Sequence, residues 1–319
     1  MPVQMVDAVV LSWNRITDTI ESLDSLLHQQ RVITNITLVD QGSDLEPLSD
    51  LRKYAARFAE VHLIELGENL GVAAGRNKGI RAGSAEIIIS IDNDAVFTSP
   101  TNLHEVTKRF EEDPKLGALG FRVERGDSGK LDPGSWVYPK SLLPRQHERF
   151  LATRFCGAGH AIRRSAYEKT AGYDERLFFF WEELDLSYQL IQQGYSIGYD
   201  PSIVVKHKMA QEGRTHWRGN RFYFLVRNAL FLDWKYFGSP LRLSAMATGY
   251  LIKSLYNRVT AQGLRGARDA YGMIRAAGPE GQTPIDSKAI AYIRENDLKY
   301  RGSLVTRIVR EVVAPLPGS

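Results

Sequence analysis

The chain has a single cysteine in 319 residues, Cys156. No internal disulfide can form, and a cysteine-based zinc site is disfavoured. A reducing compartment is compatible with that. The first residues, MPVQMVDAVVLSWNR, lack the basic-then-apolar order expected of a secretory signal. Long apolar runs are missing too: no window approaches the ~18 uninterrupted apolar residues of a membrane span. The nearest, FYFLVRNALFLDWKYF, is broken by Arg227 and Asp233. No G-x-G-x-x-G follows the first apolar run, and no G-x-x-x-x-G-K-S/T occurs anywhere. A dinucleotide fold and a P-loop ATPase are therefore excluded. There is no internal repeat and no low-complexity tract.

What is present is an ordinary globular composition, 43% hydrophobic and 24% charged. The net charge of +4 hides an asymmetry. From Arg214 onward there are 17 Lys/Arg and 7 Asp/Glu, a net +10; the preceding 213 residues carry 24 basic and 30 acidic residues, a net −6. Two regions are expected, 1–213 and 214–319.

The first hundred residues alternate strand and helix. DAVVLSW, NITLVD, VHLIEL and EIIISID read as strands; DTIESLDSLLHQ, EPLSDLRKYAARFAE and GVAAGRNKGIRAG read as helices between them. Asp18-x-x-Glu21 has the form of a capping box. Glycines 71, 75 and 79 put small residues on one helix face, suited to close packing on a sheet. Strands separated by single helices imply an α/β fold with a mainly parallel central sheet flanked by helices. Ligands bind beyond the carboxyl ends of such strands. Ser12 and Asn14, Asp40 and Asp44, Asn69, and Asp92 and Asp94 all fall there. Any one of them reads as a turn or cap; four strand ends loading one edge point to a site.

SIDNDAV raises the sharpest question, because Asp92 and Asp94 repel each other unless a cation lies beside them. A divalent ion with hard oxygen preference, Mn²⁺ or Mg²⁺, resolves that repulsion and neutralises a diphosphate. A second acid cluster follows in FFFWEELDLSYQLIQQGY. Glu182, Glu183 and Asp185 open an amphipathic helix directly after four aromatic residues. Helix-dipole capping accounts for acids there, but an aromatic wall also suits a working base. The strands YSIGYD and SIVVKH come next, and His207 at their end is a plausible third metal ligand.

VVLSWNR, LVDQGSD, ENLGVAAGRNKGI, SIDNDAVF, CGAGHAIRRSAYEKTAGYDERLFFFWEELDLSYQL and VVKH occur in that order. Together they resemble family 2 glycosyltransferases of GT-A fold, inverting enzymes of rhamnosyl- or galactofuranosyltransferase type, over roughly residues 6–240. The resemblance implies a nucleotide-diphosphate sugar donor (UDP, dTDP or GDP) and Mn²⁺ or Mg²⁺. Ser12, Asn14 and Asp40 would hold the base, and Asn69 and Arg76 would lie along base and diphosphate. Asp92 would face the ribose or sugar, and Asp94 would bind the metal with His207 assisting. Gly157 and Ala158 would line the sugar pocket. Glu183 matches the family's catalytic base, with Asp185 and Glu182 as alternatives, and Trp181 would be an acceptor platform. His160 stands where an apolar residue is expected, as an acceptor contact or a buried structural histidine.

Two rivals remain at this level. A nucleotidyltransferase would share the sheet and metal carboxylates but release pyrophosphate. A non-catalytic sugar-nucleotide binder has no reason to keep Asp94, Glu183 and His207 together. The acceptor is expected to be a saccharide, a lipid-linked saccharide or a small soluble molecule. No nucleic-acid motif is present. A cytoplasmic setting is expected. The basic helices of 214–319 either cover the sheet or rest in part on an anionic membrane at its inner face. Oligomerisation is left open.

Overall fold

A computed structural model of the chain describes residues 4–126, 128–208, 220–303 and 316. They form two compact units. One is Met1–Phe178 with Glu182–Met209; the other is Phe179–Trp181 with Ala210–Ser319.

The first unit is built on one sheet. Strands β1 (Gln4–Ser12), β2 (Val32–Asp40), β3 (Val61–Glu65) and β4 (Ile87–Asp92) alternate with helices α1 (Ile16–Leu27), α2 (Leu45–Ala55) and α3 (Gly71–Arg81). These four strands are parallel and lie in the order β3-β2-β1-β4. The central runs of Val, Ile and Leu in β1, β2 and β4 are buried on both faces, as crossover helices require, while the edge strand β3 is only partly covered. Register does the placing. Ser12 pairs with Asp40, Asp40 with Glu65, and Leu11 with Asp92, so the polar residues of several strands end at one level.

Beyond β4 the sheet becomes mixed rather than mainly parallel. The remaining elements are β5 (Ala95–Phe97), α4 (Asn102–Glu112), β6 (Leu116–Arg125), β7 (Phe150–Ala152), β8 (Gly159–Arg163), α5 (Arg164–Tyr167), α6 (Glu182–Gln192) and β9 (Ser196–His207). β8 lies antiparallel between β4 and β6; β9 runs parallel to β6 and antiparallel to β5 and β7. YSIGYD and SIVVKH, expected as two strands, are the single β9. Its register slips between Asp200 and Val204, at Pro201, which cannot donate to the ladder.

Two further expectations change. The capping box at Asp18 and Glu21 does not form, because α1 begins at Ile16 with Arg15 in the capping position. Asp18 pairs with Arg15 instead, and Glu21 with Lys208. The glycine expectation for α3 holds at Gly75 and Gly79, while Gly71 meets Phe178 instead of the sheet. A Cβ at Gly79 would lie 2.4 Å from Val9 Cγ1 on β1, and one at Gly75 3.0 Å from a Leu11 methyl.

In the second unit, α7 (Phe222–Phe237), α8 (Pro240–Tyr256), α9 (Thr260–Ala277) and α10 (Ser287–Asn296) follow. Phe222, Val226, Leu230, Val259, Ala270 and Leu316 form its core. The break expected at Gly263 falls earlier, at Asn257–Val259, where Arg258 takes a left-handed conformation. Breaks at Gly238 and Gly278 are observed, both with positive φ. Helix α10 had no counterpart in the sequence reading; Asp286 caps it by accepting the Ala289 N–H at 2.7 Å. The helix expected over SLVTRIVREVVAPL lies almost wholly outside the described residues.

Gly79→Ala tests the α3 contact. Helix propensity favours alanine by about 1 kcal/mol, while overpacking costs typically 1–3 kcal/mol. The close approach to Val9 should win, giving a net destabilisation of about 1–2 kcal/mol in urea unfolding. Equal or greater stability would show that α3 can shift away from β1.

Candidate active site

The loops after β1 and β2 are clamped to each other. Asn14, held at φ +56°, donates its backbone N–H to Ser43 Oγ at 2.9 Å and accepts from the Asp44 N–H at 2.7 Å. The buried Asp40 carboxylate accepts the Gly42 and Ser43 N–H groups, each at 3.0 Å. Ser12 Oγ lies 3.1 Å from Thr19 Oγ1 on α1. Asn69 Oδ1 accepts the Gly71 N–H at 2.9 Å and so sets the entry to α3. These four predicted donor-side residues share the carboxyl edge.

The D-x-D pair meets His207 there. β5 pairs with β9 so that Ala95 faces His207, and the Lys208 N–H donates to the Asp94 carbonyl at 2.7 Å. One ligand atom each from Asp92, Asp94 and His207 lies within 4.8 Å of the others. Asp94 sits between two cationic groups, His207 Nε2 at 3.1 Å and Arg15 Nη1 at 2.6 Å. His207 Nδ1 faces the buried Asp132 at 3.5 Å. Burial works against a charged imidazole here, but Asp132 and Asp94 outweigh it and raise the His207 pKa to about 10. The repulsion between Asp92 and Asp94 is thus offset by protein cations.

Two carboxylates and one imidazole are a donor set that fits Mn²⁺ or Mg²⁺ while leaving positions for phosphate oxygens. A divalent ion would take the place of the Arg15 contact and of the His207 proton.

Arg76, on α3 and 3% exposed, connects this cluster to the paired acids. Its Nη1 lies 2.8 Å from Glu183 Oε1 and 3.6 Å from Glu182 Oε1. Its Nη2 donates to the Gly157 carbonyl at 3.0 Å and lies 3.5 Å from Asp92 Oδ1. A Cβ at Gly157 would sit 2.1 Å from Glu183 Oε1, so a larger residue here would displace the Glu183 carboxylate from its place beside Arg76. The next carbonyl, Ala158, accepts the Asp92 N–H at 3.3 Å.

The three acids of α6 are not equivalent. Asp185 is fully buried and accepts from Gln189 at 2.7 Å. Glu182 has a side chain 4% exposed, and its Oε2 has no hydrogen-bond partner among the described residues. Burial, then the neighbouring Glu183, push its carboxyl well above the usual carboxylate range, against the opposing pull of Arg76. Glu183, 17% exposed, is the most accessible.

His160 takes the structural of its two readings. It is fully buried; Nδ1 lies 3.1 Å from the Cys156 carbonyl and Nε2 3.0 Å from Tyr173 Oη. Burial lowers its pKa well below the usual value. Trp181 closes a strained loop: Phe178, Phe180 and Trp181 all have positive φ, at roughly 1–3 kcal/mol each. Asn228 clamps the loop by donating to the Phe179 and Phe180 carbonyls at 2.8 and 2.7 Å. Trp181 Nε1 donates to the Leu225 carbonyl at 3.1 Å.

The sequence reading missed Arg15 and Asp132. Arg15 was visible in VVLSWNR as the first cation after the strand. Asp132 had no signal, since only the pairing of β9 brings His207 to it.

The family description "Glycosyl transferase family 2" matches residues 7–171, about half of the chain. The chain belongs to glycosyl transferase family 2. This membership favours glycosyl transfer over the nucleotidyltransferase alternative. The chain is 26% identical over 215 residues to the N-acetylglucosaminyl-diphospho-decaprenol L-rhamnosyltransferase of Mycobacterium tuberculosis, covering 56% of this chain and 68% of that one. It is 24% identical over 252 residues to an N-acetylglucosaminyltransferase of Bradyrhizobium diazoefficiens, covering 73% and 51%. A solved mannosyltransferase from Pyrobaculum calidifontis, in complex with GDP-Man and Mn²⁺, superposes with a TM-score of 0.59 at 20% identity, over 97% of this chain and 84% of that one. The family 2 glycosyltransferase therefore has the GT-A fold. The family match ends before Glu183 and His207.

The raised pKa of Glu182 makes a pH-dependent prediction. Its folded pKa lies above the unfolded value of about 4.3, so its contribution to stability is complete below that pH and lost as pH rises toward the folded value. Glu182→Gln keeps the neutral shape. Thermal melts should show the variant equal to wild type at pH 4 and more stable at pH 8. The same difference at both pH values would show that Glu182 ionises normally.

Proposed function

We propose that this glycosyltransferase inverts the sugar it moves, taking it from a nucleoside diphosphate donor to a hydroxyl of a lipid-linked saccharide in glycoconjugate or polysaccharide assembly. One observation carries the reading. A single guanidinium, Arg76, touches Asp92 at 3.5 Å and Glu183 at 2.8 Å, so the two acid clusters face each other across one side chain. The lipid-linked acceptor is supported by the likeness to the diphospho-decaprenol rhamnosyltransferase.

In this reading Ser12, Asn14 and Asp40 border the nucleotide base, and Asn69 and Arg76 lie along the diphosphate. Gly157 and Ala158 line the sugar. Asp92, Asp94 and His207 hold Mn²⁺ or Mg²⁺. When bound, that ion neutralises the diphosphate and stabilises its departure. Glu183 accepts the proton of the acceptor hydroxyl, and the oxygen attacks the anomeric carbon from the face opposite the diphosphate. The bond from carbon to diphosphate oxygen breaks, and its electrons leave with the diphosphate. A single displacement inverts the anomeric configuration. Arg76 anchors Glu183 through Oε1.

Two variants test the roles. Glu183→Gln should bind donor normally in calorimetry and lose ~10²-fold or more in transfer rate, the scale of positioned acid–base catalysis. Retention of most of the rate would hand the role to another acid. Asp94→Asn should lose transfer by orders of magnitude with little change in Tm, and EDTA should reproduce the loss in wild type. Full activity after EDTA treatment would sink the metal assignment. The anomeric configuration of the product, read by NMR, decides inversion.

A further inference from the structure

Helix α8 has two apolar faces, and only one of them packs. Leu243, Met246, Ala247 and Tyr250 lie against the core of the second unit. On the opposite side, Leu241, Ala245, Thr248, Ile252, Leu255 and Tyr256 follow one helical stripe by their spacing. That stripe is in water: Leu241 is 85% exposed, Ile252 48%, Leu255 59% and Tyr256 60%. A helix apolar all round is normally enclosed. A contiguous exposed apolar stripe of this kind marks a surface for a partner.

The charges say which partner. From Trp234 to Arg268 the chain has six cations (Lys235, Arg242, Lys253, Arg258, Arg265 and Arg268) and no acid at all. The flanking acids, Asp233 and Asp269, are paired with Arg242 and Arg268. Arg242 lies 4.1 Å over the Phe237 ring, at the start of the stripe, and Arg258 follows its end exposed to solvent. Aromatic and aliphatic residues on one face, edged by arginine and lysine without acid, are the composition of a helix that lies in a bilayer interface. No helix among the described residues is long and apolar enough to cross a membrane, so such a helix rests on the surface.

We propose that the outer face of α8 docks on an anionic lipid surface, with Ile252, Leu255 and Tyr256 entering the headgroup region and the exposed arginines, Arg242 and Arg258 at the two ends of the stripe, meeting lipid phosphates; Lys235 is buried and takes no part. Docking would bring the enzyme to the layer where lipid-linked saccharides reside. It needs none of the catalytic groups.

The test is flotation of the full chain with vesicles of neutral phosphatidylcholine, or of the same lipid with phosphatidylglycerol. The protein should float with the anionic vesicles in 0.1 M salt. It should be released at 0.5 M salt, where the screening length falls to roughly 4 Å. Ile252→Glu and Leu255→Glu change exposed side chains, so Tm should be unchanged while bound fraction falls at least tenfold. As a second reading, a Tyr256→Trp reporter should shift its emission to the blue with anionic vesicles only. Glu183→Gln should float like wild type, which separates this surface from the catalytic assignments. Absence of flotation under all conditions overturns the proposal. So does flotation unchanged by either glutamate. A concentration-dependent dimer in size-exclusion chromatography that Ile252→Glu dissociates, without vesicle binding, would assign the face to a second copy instead.

Discussion

Crowded carboxylates are the physical problem this fold solves. Asp92, Asp94, Glu182 and Glu183 converge on one cleft. Two unit charges 4 Å apart interact with roughly 4 kcal/mol at an effective dielectric of 20. Left unopposed, several such terms would rival the whole stability of a domain. The chain offsets them in three ways. Arg76 reaches three of the four carboxylates. Arg15 and His207 take Asp94 from two sides. Burial and Glu183 shift the Glu182 carboxyl toward its neutral form. Each cluster on its own looks like ordinary capping or a turn; their shared counter-charge makes them one site.

The backbone makes this arrangement possible at two points. The in-register parallel strands deliver Ser12, Asp40 and Asp92 to one level of the sheet. Gly157 then leaves the volume in which Glu183 approaches Arg76. Packing α3 closely on β1 and β2 through Gly75 and Gly79 is what sinks Arg76 into the protein, where its charge is least screened.

The parallel half of the sheet was legible because period and punctuation are local. DAVVLSW and EIIISID need no knowledge of distant residues. The acid clusters were legible for the same reason, and family resemblance joined them. What escaped was set by tertiary pairing. Asp132 stands 75 positions before His207 and meets it only because β9 returns beside β6. The false capping box at Asp18 arose because the local pattern put the capping position three residues late, while Arg15 was held by Asp94. β8 was invisible as an antiparallel insertion, since GHAIRR carries no sign of its neighbours. His160 read ambiguously because its partners, the Cys156 carbonyl and Tyr173, depend on how that strand is covered.

The guanidinium at position 76 is a plate rather than a point. It presents donors along two edges: one serves Glu183, the other the Gly157 carbonyl and Asp92. Lysine carries the same charge on a single nitrogen and cannot hold that spread. The site therefore demands a shape as well as a sign at this position. Arg76→Lys, conservative by charge, would be radical by geometry. The two halves of the cleft would lose their common hinge while the net charge of the protein stayed the same.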